Sequence, residues 1–156
     1  MAGHSRDDRR RFESFAAGGY RGEFSSWVRP SAGVDDVLRL IDPSASVETI
    51  HWGRNHIYAA QMKTPDALVP VVVKQFRNQG WRKRFERRWR GSKAERSWRV
   101  AGELLRKGLP TPEPLMWVES DAPEGPSFFV AKRLEGSVEV RHFFRRLNSE
   151  PGEDDF

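Results

Sequence analysis

"VPVVVKQFR", residues 69–77, places a single lysine at the end of an apolar run. Val71, Val72 and Val73 are β-branched and favour a pleated, buried strand. Side chains alternate across a strand, so Val72, Lys74 and Phe76 share one face. Two readings of Lys74 follow. Its stem can lie along the apolar face with the ammonium left in water, or the ammonium can hold an anion such as a nucleotide phosphate. The segments on either side bear on that choice.

Working back from the lysine, "SVETIHWG" and "NHIYAAQMK" flank Gly53-Arg54-Asn55 and predict two strands joined by a hairpin turn. "KTPDAL" turns the second of these into "VPVVVKQFR", with Pro65 and Asp66 supplying the turn chemistry. "GVDDVLRLIDP" (33–43) predicts a short helix, with Val34, Val37, Leu38 and Ile41 at helical spacing. Residues 1–33 are polar, basic and glycine-dotted, and read as an irregular arm.

Forward of the lysine, "SKAERSWRVAGELLRKG" (92–108) predicts a helix. Ser92 is its cap, Glu95 completes a capping box, and Gly108 ends it. Ala94, Trp98, Ala101 and Leu105 fall on one stripe. "LPTPEP" is a connector whose prolines cannot continue the helix. "LMWVES" (115–120) and "SFFVAKRL" (127–134) are two further strands about the turn "DAPEGP". The residues beyond, 137–156, read as the opening of a short helix and the acidic tail "NSEPGEDDF".

Composition narrows the function. Hydrophobic residues are 37% and charged residues 31% of the 156, so a core is expected in the middle of the chain and not throughout. A formal charge of +5 points to anionic partners: phosphorylated small molecules, anionic lipid surfaces or nucleic acid. The absence of cysteine excludes disulfides, thiolate metal sites and a cysteine nucleophile. No G-x-S-x-G occurs, and His51 and His56 straddle a turn with no further ligand nearby, so neither a hydrolase nor a metal site is expected. The N-terminus lacks the apolar stretch of a signal peptide, and no run approaches the roughly 20 apolar residues of a membrane-spanning helix. A cytoplasmic protein is expected, peripheral at most to the inner face of the membrane.

The order strand, strand, strand, helix, strand, strand, with lysine on the third strand and "GLPTPEPL" after the helix, resembles the N-terminal lobe of the protein-kinase-like fold. More narrowly, "VVVKQFR", "GSKAERSWRVAGELLRKGLPTPEPLMWVES" and "SFFVAKRLEG" resemble the bacterial lipopolysaccharide kinases, the Kdo and heptose kinases often grouped with InaA-type proteins. The resemblance covers about residues 45–140. It implies an α+β fold: a five-stranded antiparallel sheet with one helix inserted after the third strand, spanning residues 34–136. It implies ATP with Mg²⁺ as cofactor. Lys74 would contact the α- and β-phosphates, and Val72 would pack against adenine. Gly53 and Arg54 would stand at the phosphate loop, and Glu95 would pair with Lys74. Backbone groups from Lys132 through Leu134 to Gly136 would bind the adenine edge.

Departures from the pattern shape the expectation. Gly53 stands alone where kinases carry G-x-G-x-x-G. None of His4, His51, His56 or His142 opens an H-x-D followed by asparagine, and no D-F-G occurs. The catalytic base and the metal ligands are therefore expected outside this chain, and alone it is expected to bind nucleotide weakly without turnover. A non-catalytic binding or regulatory module is the alternative.

The stretch 78–99 is rich in arginine, with tryptophans interleaved. It admits three readings: a solvated surface, a face for an anionic glycolipid or the inner membrane through Trp81, Arg84, Arg87 and Arg88, or a nucleic-acid platform. The last is disfavoured, because Trp98 lies on the apolar stripe of the helix. Self-association through an apolar surface near the hinge is also expected.

Overall fold

The structure, a computed structural model, describes residues 12–28, 33–77, 90–134 and 136. In chain order the elements are β1 (Phe12–Ala17), β2 (Tyr20–Ser25), α1 (Val34–Ile41), β3 (Glu48–Trp52), β4 (Asn55–Lys63), β5 (Leu68–Phe76), α2 (Lys93–Arg106), β6 (Pro114–Ser120) and β7 (Ser127–Lys132). All seven strands join one sheet in the order β1-β2-β6-β7-β5-β4-β3, every neighbouring pair antiparallel.

The valine run sorts the two faces of the sheet. Val71 and Val73 are fully buried on one face, with Tyr58, Ala60 and Met62 of β4, Val118 of β6 and Phe128 and Val130 of β7. Helix α1 covers this face with Val37, Leu40 and Ile41. The Tyr58 hydroxyl donates to the Leu40 carbonyl at 3.0 Å and ties helix to sheet. Burial pushes that phenol above its ordinary titration range. On the other face Phe76 and Trp117 pack with Ala94 and Trp98 of α2, and Phe129 lies against them. The sheet is therefore the middle layer between α1 and α2.

The expectation of a five-stranded, protein-kinase-like N-lobe with one inserted helix is overturned. The sheet has seven strands and two helices cover it, so the five-stranded architecture is not that of this chain. The two extra strands come from the stretch read as an irregular arm within residues 1–33. Gly18 and Gly19 take φ of 63° and 77°, the left-handed pair that a two-residue hairpin turn requires. β2 then pairs with β6, which would otherwise be an edge. Alternation is masked here because both faces of the hairpin are used. Phe12 meets Trp98 edge-on at 5.0 Å on one face, while Phe15 lies 6.2 Å from Phe24 on the other.

Helix α2 is closed at both ends by the residues its sequence supplies. Ser92 Oγ accepts from the Glu95 amide at 3.1 Å. At the other end Gly108 has φ of 74°, its amide donates to Leu105, and the Leu109 amide donates to Leu104, the paired bonds of a Schellman motif. The connector then swings Thr111 and Pro112 back toward the sheet. The expected stripe is shorter than the spacing predicts: Leu105 is 41% exposed, and the buried face is Ala94, Trp98 and Ala101.

Candidate functional site

The α2 face of the sheet is only partly covered, and a cleft of about 820 Å³ lies beside the helix. That is within the range of small-molecule sites. The ladder registers lay out its floor. Ile57, Lys74 and Phe129 form one row across β4, β5 and β7; Ala59, Val72 and Ala131 form the next. Gln61 and Pro70 continue into a third, where Pro70 accepts from the Arg133 amide. The middle row carries the smallest side chains, which hollows the floor between two taller rows. Ala101, Thr111 and Pro112 line the α2 side, and Ile50 and Leu134 stand at the margins.

Lys74 is half-buried at one end of this slot. Its Nζ lies 5.1 Å from the centroid of the Phe76 ring. Among the described residues no carboxylate pairs with it. Glu95, the expected partner, is instead bound to Arg99, with Arg99 Nη2 2.5 Å from Glu95 Oε1. At the opposite end Arg133 Nη2 donates to Glu48 Oε2 at 2.8 Å. Four residues of β5 separate the Lys74 row from Pro70, about 13 Å of strand. The slot thus has a cation at one end, apolar floor between, and an ion pair at the other.

Of the residues singled out in the sequence, Val72, Lys74, Lys132 and Leu134 line the cleft, while Gly53, Arg54 and Glu95 do not. Trp81, Arg84, Arg87 and Arg88 lie outside the described residues, as do 137–156. At the expected hinge two backbone amides are engaged within the protein. Lys132 and Arg133 have already committed their amides, to the carbonyls of Glu113 and Pro70 at 2.9 Å each. Sequence reasoning missed Glu48, Ile50, Ile57 and Ala131. Alternation from Val72 and Lys74 across neighbouring strands finds Ile57 and Ala131 once the register is known; a bulge between Thr49 and His51 hides which way Ile50 faces. Glu103 pairs with Arg106 at 2.6 Å on the exposed side of α2, and that guanidinium holds its carboxyl below the usual range.

Among the described residues no three His, Cys, Asp or Glu side chains gather where they could hold a metal ion. No helix among the described residues is long and apolar enough to cross a membrane.

His56 sits on the other face, at the end of the sheet, and is 3% exposed. Its ring lies 4.3 Å from Trp52 and 4.9 Å from Tyr58, and Arg77 stacks over Trp52 at 4.8 Å. Burial and the Arg77 charge lower its pKa; the Gln75 side chain opposes them more weakly. Below the ordinary histidine value of about 6.5 the unfolded chain takes up a proton that the native chain refuses. Stability is therefore expected to fall as pH drops from that value to the lower native pKa, then to level off. His56→Phe should flatten this dependence below about pH 6.5 in urea-unfolding midpoints; an unchanged slope would assign it elsewhere.

Comparison of the chain with protein-family models, with curated proteins and with solved structures finds no match.

Proposed function

We propose that this chain binds a nucleoside polyphosphate, ATP being the first to test, in the cleft beside α2. The observation that carries this is Lys74: an ammonium without a carboxylate partner among the described residues, at the end of an apolar slot that also holds Val72, Ile57 and Ala131. A planar ring fits over the small middle row, and a phosphate reaches the lysine, where an anion gains a charge-assisted contact. The snorkelling alternative asks for no ligand and no hollow floor.

The finer reading, transfer of a phosphoryl group to an inner-core lipopolysaccharide sugar, rests on the sequence resemblance. Such transfer needs a base and metal ligands. The carboxylate of the cleft's described lining, Glu48, is already on Arg133. Binding rather than turnover is therefore what we propose for this chain.

An ATP titration followed by amide NMR tests it. Shifts are expected at Val72, Lys74 and Leu134, with affinity about tenfold weaker in Lys74→Ala, the loss of one charged contact. Lys74 is only half-buried and holds no carboxylate among the described residues, so the fold should persist. No shifts at millimolar ATP, or equal affinity in the variant, would overturn the reading.

A further inference from the structure

At the Arg133 end of the cleft two backbone amides are already spent. Lys132 N–H and Arg133 N–H both donate into the protein itself, and each amide has only one proton to give. The polar groups left at that end of the cleft include a side-chain pair, Glu48 and Arg133.

The position of the pair is unusual for a surface ion pair. Its members are 85 residues apart in sequence. Glu48 belongs to β3, the last strand of the sheet, and Arg133 follows β7, with β4 and β5 lying between. Glu48 stands opposite Ala59, in the same row as Val72 and Ala131, so the pair borders the hollow of the floor. Its side chains are 39% exposed at Arg133 and 56% at Glu48. A pair so open to water contributes little to folding, but a ligand lying in the slot would exclude that water and strengthen every contact there.

The contact uses one carboxylate oxygen and one guanidinium nitrogen. The second oxygen remains an acceptor, and further N–H groups of the guanidinium remain donors. The wall therefore presents an acceptor beside a donor with no net charge. It complements a heterocycle whose edge carries an amino donor beside a ring-nitrogen acceptor. Adenine has such an edge; unsubstituted purine lacks the amino group.

Building on the nucleotide reading above, we propose that Glu48 and Arg133 read the edge of the ligand's ring through their side chains and select rings bearing an amino group beside a ring nitrogen. They are the specificity residues of the cleft, Arg133 at the end remote from the phosphates and Glu48 beside the middle row.

Calorimetric titrations of wild type, Glu48→Ala, Arg133→Ala and Lys74→Ala against ATP, purine riboside triphosphate and inorganic tripolyphosphate separate the two ends. Glu48→Ala is expected to weaken ATP roughly tenfold and tripolyphosphate less than about twofold. Arg133→Ala should do the same, and Lys74→Ala should weaken both ligands. Wild type should prefer ATP to purine riboside triphosphate, and Glu48→Ala should lose that preference. Amide spectra of each variant establish that it is folded, and Glu48→Met, which keeps the stem and removes the acceptor, serves in place of a Glu48→Ala that is not. ATP affinity unchanged by the Glu48 and Arg133 substitutions, while Lys74→Ala still weakens it, would overturn the edge reading and leave the nucleotide reading standing. Equal losses of ATP and tripolyphosphate at Glu48 would also overturn it, and a wild type that binds no ATP would overturn both.

Discussion

Gly22→Ala is expected to destabilise the protein by roughly 3 kcal/mol, the upper range for one methyl forced into a packed site. Gly22 is buried at the centre of β2, between Phe15 on one neighbouring strand and Val118 on the other. A Cβ there would run into the carbonyl oxygen of Trp117 and stand 3.0 Å from the Phe15 ring. The aromatic ring can turn aside. The carbonyl belongs to the backbone of β6, so β2 must separate from β6 to admit the methyl. Gly102 makes the opposite case: it lies within α2, and nothing is within 4 Å of the position a Cβ would take. Gly102→Ala should stabilise by up to about 1 kcal/mol through helix propensity. Urea-unfolding midpoints of the two variants should move in opposite directions. A Gly22→Ala protein as stable as wild type would mean that the N-terminal hairpin is not seated on β6.

That hairpin also marks where the sequence was legible and where it was not. The valine run, the "TPDA" turn and the Ser92 cap each carry a local cause, and each yields the element it predicts: β5, the Thr64–Ala67 turn whose side-chain and backbone hydrogen bonds close it, and the start of α2. "AAGGYR" carries a local cause too, since paired glycines favour a two-residue hairpin turn. It went unread because its aromatics serve both faces, which removes the period-two signal a half-buried strand would show. The site divides in the same way. Lys74 and Val72 could be placed on one face from alternation within a strand. Glu48 could not be placed beside Arg133, because that neighbourhood depends on the order of four strands and on side chains 85 residues apart. Nor could Glu95 be assigned a partner, since spacing on a helix serves Arg99 four residues on as readily as a lysine on the sheet.

Trp98→Ala is expected to have the largest effect of all, a loss of roughly 3–5 kcal/mol, and to act on the cleft as well as on stability. Trp98 is 6% exposed and packs with Phe76 and Trp117 of the sheet, with the Phe12 ring against its edge. The other buried residues of α2 are two alanines, Ala94 and Ala101, while Val100 and Leu105 face outward. The largest buried side chain docking the helix is therefore this one indole, with Leu104 half-buried beyond it. Without it, fourteen residues of helix would rest on two buried alanines and the half-buried Leu104, and isolated helices of that length are marginal in water. Ala101, less than one turn along, lines the cleft, as do Thr111 and Pro112 beyond the helix. Loosening α2 should then remove one wall of the slot, and ATP affinity should fall together with helical circular dichroism at temperatures where the sheet persists. Trp98→Phe, which keeps an aromatic ring against Phe12 and Trp117, should retain most of both. If Trp98→Ala loses helix but binds ATP as wild type does, the ligand rests on the sheet alone, and the α2 side of the cleft is a boundary without a part in binding.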